Sequence, residues 1–307
     1  MANGCSRHRH PGSGSRWTST QPALIARRSF RCRSCVDRTD PSRTGDAMTS
    51  DRVPLVVVTG ASGVVGRRVV AALDGVARMR LVDRRAPTDA PPTAERVVVD
   101  LREHEGWDTV IRDADVVVHL AGNASPFQDA RTVIHEVAEL AAGLADAVER
   151  SNVRHLVMAS SIHTLGRHDV AGHRPVRASD PVWPCCDYGA GKVFAEDVLG
   201  LACMQRDAVF TALRLGLVGW KPVDALYRSN WTSDRDFATA VRAVILQRPA
   251  GPFLIASNGA RGRWDIEETE ERLGIEFIDD PPASHPVSRP DEEIRCLMLM
   301  AGGSGRP

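Results

Sequence analysis

Lysine and tyrosine are almost absent from this sequence. Among 39 Lys and Arg residues, Lys192 and Lys221 are the lysines, and Tyr188 and Tyr227 are the two tyrosines. Arginine can supply a surface positive charge at most positions, but it cannot replace a lysine whose compact ammonium needs a tunable pKa. Because Lys192 follows Tyr188 by four residues, these two rare residue types are candidates for a shared chemical role.

Three further absences limit the class of protein. No apolar run approaches the roughly 20 residues of a membrane-spanning helix, so we expect no membrane partner. The seven cysteines follow no spacing typical of a secreted disulfide framework, which favours a reducing cytoplasm. The formal net charge is zero and the chain after residue 50 is net acidic, so nucleic-acid binding is not expected.

Residues 1–50 differ from the rest of the chain. They hold nine Arg and three Asp and show little apolar periodicity, which predicts a disordered leader. The leader has the composition of an organellar transit peptide, but translated upstream sequence before a true start at Met48 is the simpler interpretation. We expect no metal site here, because the second pair of ligands of a familiar zinc module is missing from the set Cys5, His8, His10, Cys32 and Cys35.

Residues 55–66, LVVVTGASGVVG, form the most informative stretch of the chain. Three valines predict a strand buried on both faces of a parallel sheet. Gly60 permits a tight turn, Gly63 leaves room for a pyrophosphate, and Gly66 lets the following helix, residues 64–73, pack closely. The amide groups at the start of that helix would face the phosphates. This context of strand, glycines and helix predicts a dinucleotide site.

Asp83 ends the second predicted strand, residues 79–82, and indicates which dinucleotide binds. A carboxylate there can accept hydrogen bonds from the adenosine ribose and repels a 2′-phosphate, which favours NAD over NADP. Arg84 and Arg85 follow directly and keep NADP as the alternative. Asp100, at the end of the third buried strand, has two open interpretations, an adenine contact or a local cap beside Arg102.

Strands alternate with helices along the rest of the chain. This order predicts an α/β fold, a Rossmann-type doubly wound parallel sheet with a small C-terminal substrate-binding portion. We expect one NAD-binding and catalytic domain over residues 51–280 and a loose tail over 281–307, apart from a short helix at 291–300. The further strands are predicted at 97–101, 116–120, 155–159, 210–215 and 253–256, and the further helices at 105–112, 129–150, 188–204, 234–246 and 265–273.

Ligands of such sheets lie beyond the carboxyl ends of the strands, where Ser161 and the small residues Ala121 and Gly122 are predicted to lie. Tyr188 and Lys192 share one face of a helix. The ammonium would favour the phenolate and lower the pKa of Tyr188 from about 10, so that the tyrosine could take a proton from an alcohol. Ser161 could hydrogen-bond the same oxygen. We therefore expect catalysis by Tyr188, Lys192 and Ser161.

The motifs TGASGVVG at 59–66 and YGAGK at 188–192 resemble the extended epimerase/dehydratase branch of the short-chain dehydrogenase/reductase superfamily. Within that branch the chain is most similar to the uronate dehydrogenases, on HLAG at 119–122, ASSIH at 159–163 and WTSDRDF at 231–237. The resemblance implies that Tyr188 transfers the proton and that Lys192 binds the nicotinamide ribose. It implies a cofactor site formed by Gly60, Ser62, Gly63, Val64, Val65, Gly66, Asp83, Asp100, Leu101, Leu120, Ala121, Gly122 and Lys192.

The same resemblance implies that Ser125, Ser161 and His163 line a sugar site. The sequence departs from the family at Ile162 and Leu217, where the family has polar substrate contacts. Arg228 lies near the position of the carboxylate-binding arginine and is its expected substitute. With fewer donors, the site should prefer a less polar or differently oriented substrate.

The leading hypothesis is an NAD-dependent oxidoreductase that takes hydride from a hydroxyl of a sugar or sugar acid. A sugar-nucleotide epimerase or reductase of the same branch is the first alternative, although the chain after Phe210 is short for a nucleotide-binding subdomain. A non-catalytic dinucleotide sensor is the second, and it would have no need of Tyr188 with Lys192. The sequence leaves self-association as a homo-oligomer open.

Overall fold

The computed structural model describes residues 53–103, 106–222 and 225–283. The predicted leader, its cysteine and histidine residues, and the predicted helix at 291–300 lie outside the described residues. The helices and strands given below all fall between residues 55 and 273. The division into leader, catalytic domain and tail therefore stays a prediction.

Within the described residues, seven strands form one parallel sheet in the order β3-β2-β1-β4-β5-β6-β9. The strand order reverses between β1 and β4, which is the topological switch point where doubly wound sheets bind ligands. The predicted fold class is confirmed. The strands are β1 Leu55–Thr59, β2 Arg78–Asp83, β3 Glu95–Val98, β4 Val116–His119, β5 His155–Ser161, β6 Val209–Leu215 and β9 Gly251–Ile255.

Helices cover both faces of this sheet. The side chains of successive residues in a strand point to opposite faces, so Val56 and Val58 of β1 lie in one apolar cluster and Val57 in the other. The helices are α1 Val64–Leu73, α2 Trp107–Val110, α3 Ala130–Val133, α4 Glu139–Glu149, α5 Gly166–Val170, α6 Asp187–Gln205, α7 Ala225–Arg228, α8 Asp234–Gln247 and α9 Ile266–Leu273.

Three predicted elements differ from the structure. The third strand was expected to be buried, but β3 is exposed and Val98 is 59 % exposed, because β3 is the edge strand of the sheet. The helix predicted at 129–150 contains a π-helical segment, Ile134–Ala138, between α3 and α4. Residues 216–232, for which no strand or helix was predicted, hold two short parallel strands, β7 Leu217–Val218 and β8 Trp231–Thr232.

Candidate active site

The glycine loop between β1 and α1 has the geometry that its sequence predicts. Gly60 has a positive φ of 70°, and a Cβ there would lie 2.8 Å from the Ala121 nitrogen. A Cβ on Gly66 would lie 2.1 Å from the Gly60 carbonyl oxygen. The first turn of α1 has no side-chain cap, and Val64 and Val65 there remain exposed or partly exposed. This helix end is therefore open to an anion.

Asp83 lies beside this loop. One carboxylate oxygen of Asp83 accepts a hydrogen bond from the Ser62 amide at 3.0 Å, and the other accepts one from the Arg85 amide at 3.1 Å. The side chains of Arg84 and Arg85 are exposed. Asp83 thus holds the glycine loop against the end of β2, at the position where an adenosine ribose is expected.

Asp100 makes a local contact with Arg102, which was one of the two roles predicted for it. Its carboxylate accepts hydrogen bonds from the backbone amide of Arg102 at 3.1 Å and from the guanidinium of the same residue. This guanidinium lowers the pKa of Asp100 to about 2. Leu101 is buried, 5 % exposed, in the core. An adenine contact by Asp100 stays a prediction.

Thr59 joins the end of β1 to the end of the neighbouring strand β4. Its buried hydroxyl accepts hydrogen bonds from the amides of Leu120 and Ala121, each at 3.2 Å, and contacts His119 Nδ1 at 3.0 Å. These contacts bring Leu120 and Ala121 beside Gly60, and Gly122, which follows them, approaches the Glu136 carbonyl. Sequence reasoning missed Thr59, although its place directly before the first glycine was a usable signal.

Ser161, Tyr188 and Lys192 come together at the end of β5. Ser161 is hydrogen-bonded to Tyr188, and the Lys192 Nζ lies 5.6 Å from the centroid of the tyrosine ring. Lys192 donates a hydrogen bond from Nζ to the Ala159 carbonyl at 2.8 Å. Gly189 permits this approach of α6, because a Cβ there would lie 2.4 Å from the His163 carbonyl oxygen.

The electrostatics at Tyr188 differ from the prediction. We expected Lys192 to lower the pKa of Tyr188, but burial raises that pKa well above its usual value, and Cys186 raises it further. Burial also lowers the pKa of the Lys192 ammonium to about 8. Desolvation disfavours the charged form of each group. In the protein without cofactor, the phenol is therefore protonated at neutral pH.

A buried ion pair lies one turn of α6 beyond Lys192. Glu196 and Arg214 pair at 2.7 Å, with side chains 10 % and 5 % exposed. Glu196 also accepts a hydrogen bond from the Ser160 hydroxyl and raises the pKa of Lys192, against the larger effect of burial. This pair was not found from the sequence, because its partners are 18 residues apart in the chain.

Four residues expected to contact the sugar do not share one environment. His163 packs edge-on against the Tyr188 ring, with centroids 5.8 Å apart. Ser125 is partly buried, and its hydroxyl accepts a hydrogen bond from the Phe127 amide at 3.3 Å. Ile162 is only 4 % exposed and lies in an apolar cluster. The Arg228 guanidinium donates to the Pro282 carbonyl.

Comparison with protein-family models gives a match to the NAD dependent epimerase/dehydratase family over residues 56–221. The chain belongs to this family. An L-arabinose 1-dehydrogenase (NAD(P)(+)) of Haloferax volcanii is 27 % identical over 247 residues, which cover 71 % of this chain and 94 % of that protein. A uronate dehydrogenase of Agrobacterium fabrum is 26 % identical over 215 residues, covering 68 % of this chain and 79 % of that one.

Among solved structures, the glucuronic acid dehydrogenase of Chromohalobacter salexigens has a similar fold. Its TM-score is 0.70 at 23 % identity, with 83 % of this chain and 98 % of that chain covered. The predicted resemblance to the epimerase/dehydratase branch is confirmed, and the family description itself names NAD. Among the described residues, no helix is both long and apolar enough to cross a membrane.

One feature of this epimerase/dehydratase family member was missed entirely from the sequence. The Sγ atoms of Cys185 and Cys186, in the loop before α6, lie 3.3 Å and 3.5 Å from the same atom, Nδ1 of His163. His163 was expected to be a sugar contact, and no signal in the sequence placed the two cysteines beside it. The three residues are brought together by the loop that leaves β5 and returns to α6, a path that residue spacing alone does not reveal.

Proposed function

We propose that this protein is an NAD-dependent dehydrogenase that oxidises a hydroxyl group of a sugar or sugar acid. The observation that carries the proposal is the cluster of Ser161, Tyr188 and Lys192 at the end of β5, beside the switch point of an NAD dependent epimerase/dehydratase fold. A dinucleotide sensor has no need of this cluster, so catalysis explains the site better than binding alone.

The residues at the switch point fit a dinucleotide. Gly60 and Gly66 leave no room for side chains, and the start of α1 has amide groups without a side-chain cap. We propose that this helix end holds the pyrophosphate and that Asp83 accepts hydrogen bonds from the ribose. NAD, when bound, is the hydride acceptor of the reaction. NADP is the alternative, since Arg84 and Arg85 are exposed next to Asp83.

Tyr188 is the proposed proton-transfer residue. As the phenolate, it takes the proton of the substrate hydroxyl as the C–H hydride leaves and becomes the phenol, and in the reverse direction the phenol returns that proton to the carbonyl oxygen. Ser161, hydrogen-bonded to Tyr188, holds the reacting oxygen in line. The Lys192 ammonium lies beside the Tyr188 ring and, as the family resemblance implies, binds the nicotinamide ribose.

The substrate we propose is a neutral aldose in preference to a hexuronate. Leu217 is apolar and partly exposed where the resembled family has a polar contact, and the Arg228 guanidinium is occupied by the Pro282 carbonyl. Both features reduce the donors available to a carboxylate. The similarity to an L-arabinose 1-dehydrogenase is in keeping with this choice.

A hexuronate dehydrogenase is the second candidate, favoured by the fold similarity to a glucuronic acid dehydrogenase. The experiment is a panel of pentoses, hexoses and hexuronates, with NADH formation measured for each sugar and with NADP+ as the comparison cofactor. We expect the highest kcat/KM for a neutral aldose with NAD+. Higher kcat/KM for galacturonate or glucuronate would select the second candidate, and no NADH with any sugar would contradict the dehydrogenase proposal.

A further inference from the structure

His163, Cys185 and Cys186 place three metal-ligand atoms within 4.8 Å of one another. The His163 Nδ1 atom is 3.3 Å from the Cys185 Sγ and 3.5 Å from the Cys186 Sγ. Cys185 and His163 are 3 % and 9 % exposed, and Cys186 is partly buried. Imidazole nitrogen and thiolate sulfur are the donors that thiophilic cations such as Zn²⁺ prefer.

The two S···N separations are close to the corresponding edges of a tetrahedral zinc site. With Zn–S bonds of about 2.3 Å and Zn–N bonds of about 2.0–2.1 Å, tetrahedral angles put sulfur and nitrogen ligands about 3.6 Å apart. The two observed S···N distances, 3.3 Å and 3.5 Å, need shifts of only a few tenths of an ångström to reach that value. The backbone already holds the triad, because the Cys185 amide donates to the His163 carbonyl at 3.2 Å.

We propose that His163, Cys185 and Cys186 form a three-ligand site for a thiophilic divalent cation, for which Zn²⁺ is the probe. Binding would release the thiol protons and join the cation to two thiolates and one imidazole nitrogen, with the fourth position left to water or another small ligand. No electron transfer is involved. The site would couple the loop after β5 to the start of α6.

The position of this triad gives metal binding a consequence for catalysis. Cys186 is the N-cap residue of α6, the helix that carries Tyr188, and the His163 ring packs against the Tyr188 ring. A Zn²⁺ held there by two thiolates would form a site without net charge, and it would fix His163, which the family resemblance implies lines the sugar site. Zn²⁺ is therefore an inhibitor of turnover in this account. The inhibition rests on the proposed function, whereas the binding does not.

The test measures Zn²⁺ binding to the full, reduced chain by competition with a chromophoric chelator. We expect Cys186→Ser to lose one equivalent of tightly bound Zn²⁺, or to bind it at least about 100-fold more weakly, because removal of an outer-sphere partner already costs about 10–100-fold. Cys185→Ser should do the same. Circular dichroism and NAD binding of both variants show whether each has kept its fold.

Two control variants distinguish this triad from the other cysteines. Cys203 is buried apart from the triad, and burial raises the pKa of its thiol to about 12, so Cys203→Ser should bind Zn²⁺ like the wild type. The double variant Cys32→Ser/Cys35→Ser should also keep the equivalent lost in Cys186→Ser. Equal Zn²⁺ stoichiometry and affinity in wild type and folded Cys186→Ser would overturn the proposal.

Two further measurements distinguish inhibition by Zn²⁺ from Zn²⁺ binding, and Zn²⁺ binding from oxidation of the cysteines. Zn²⁺ should lower wild-type turnover, a chelator should restore it, and Cys186→Ser should need much more Zn²⁺ for the same fractional loss. If Zn²⁺ binds at the triad but no sugar is ever oxidised, the site stands and the proposed function fails. If mass spectrometry finds a Cys185–Cys186 disulfide and the reduced protein binds no Zn²⁺ there, the pair is a redox couple and the proposal is wrong.

Discussion

Lys192 donates from Nζ to the backbone carbonyl of Ala159, 2.8 Å away, and this hydrogen bond joins α6 to the end of β5. The same ammonium is partly buried, and burial lowers its pKa to about 8 from an ordinary 10.5. One side chain thus positions the proposed site and costs stability by burying a charge. Lysine is rare in this chain, and here arginine could not supply a compact charge of low pKa.

Lys192→Met should therefore stabilise the protein at neutral pH. Between pH 8 and pH 10.5 the unfolded lysine binds more protons than the folded one, so the wild-type free energy of unfolding rises with pH across this window. Below pH 8 the full cost of burial remains, and the variant removes it but also loses the Ala159 hydrogen bond. We expect a net gain of about 1–3 kcal/mol at pH 7.

Urea unfolding of both proteins at pH 7 and near pH 10 checks this expectation. The advantage of Lys192→Met should shrink toward the higher pH, while NADH formation is lost at both. A variant that is less stable than the wild type by the same amount at both pH values would show that burial of the ammonium carries no cost.

The glycine loop offers a matched pair of variants. A Cβ on Gly66 would lie 2.1 Å from the Gly60 carbonyl oxygen, whereas a Cβ on Gly63 would lie 3.1 Å from the same atom. Gly66→Ala should lower the free energy of unfolding by about 2–3 kcal/mol through overpacking, and Gly63→Ala by less than about 1 kcal/mol. Gly63→Ala should nevertheless weaken NAD binding, because its methyl group would face the pyrophosphate.

Denaturant unfolding gives the free energy of unfolding of each variant, and titration gives the Kd of each variant for NAD. If Gly63→Ala binds NAD as tightly as the wild type, the phosphate does not approach the loop there. If Gly66→Ala is as stable as the wild type, α1 can move away from the loop more easily than the structure indicates.

Local signals in the sequence predicted much of this fold. The bounds of α1 agree with the prediction at 64–73, because a glycine turn precedes an amphipathic run. Tyr188 and Lys192 were placed correctly on one helix, since the i and i+4 spacing is a local property. The order of strands and helices was sufficient for the fold class, because parallel strands need crossover helices.

What the sequence did not reveal depends on contacts between distant segments. The exposure of Val98 follows from the edge position of β3, which strand order alone determines. The raised pKa of Tyr188 follows from burial that no spacing predicts. The outer members of the triad, His163 and Cys186, are 23 residues apart, and the triad forms only when the loop after β5 returns to α6.

Asp83→Ala should weaken NAD binding and reduce the ratio by which the protein prefers NAD to NADP. Removal of the carboxylate eliminates its proposed hydrogen bonds with the ribose, and the Ser62 amide loses its hydrogen-bond acceptor. One lost hydrogen bond to a charged group is worth about 1.5–3 kcal/mol, so the Kd for NAD should rise about 10- to 100-fold. The paired variant Arg84→Ala should leave the NAD Kd unchanged. A wild type that prefers NADP would contradict this role of Asp83.

Leu217→Ser should improve activity on hexuronates. The side chain is partly exposed in β7, so a hydroxyl can be introduced there without entering the core, unlike at the buried Ile162. A new hydrogen bond worth about 0.5–1.5 kcal/mol should raise kcat/KM for galacturonate or glucuronate about 2- to 10-fold. Leu217→Ala is the control for volume, and neutral aldoses are the control substrates. An equal gain in Leu217→Ala would mean that space, not polarity, limits the substrate.

The central claim is that Tyr188 transfers the proton, and Tyr188→Phe tests it most directly because it removes a single oxygen. The measurement compares kcat for the best sugar of the panel and the Kd for NAD between wild type and variant. General acid–base catalysis contributes about 10²–10⁴-fold, so kcat should fall at least about 100-fold while the Kd for NAD changes by less than about 2-fold. A variant that retains near-normal turnover would contradict the account.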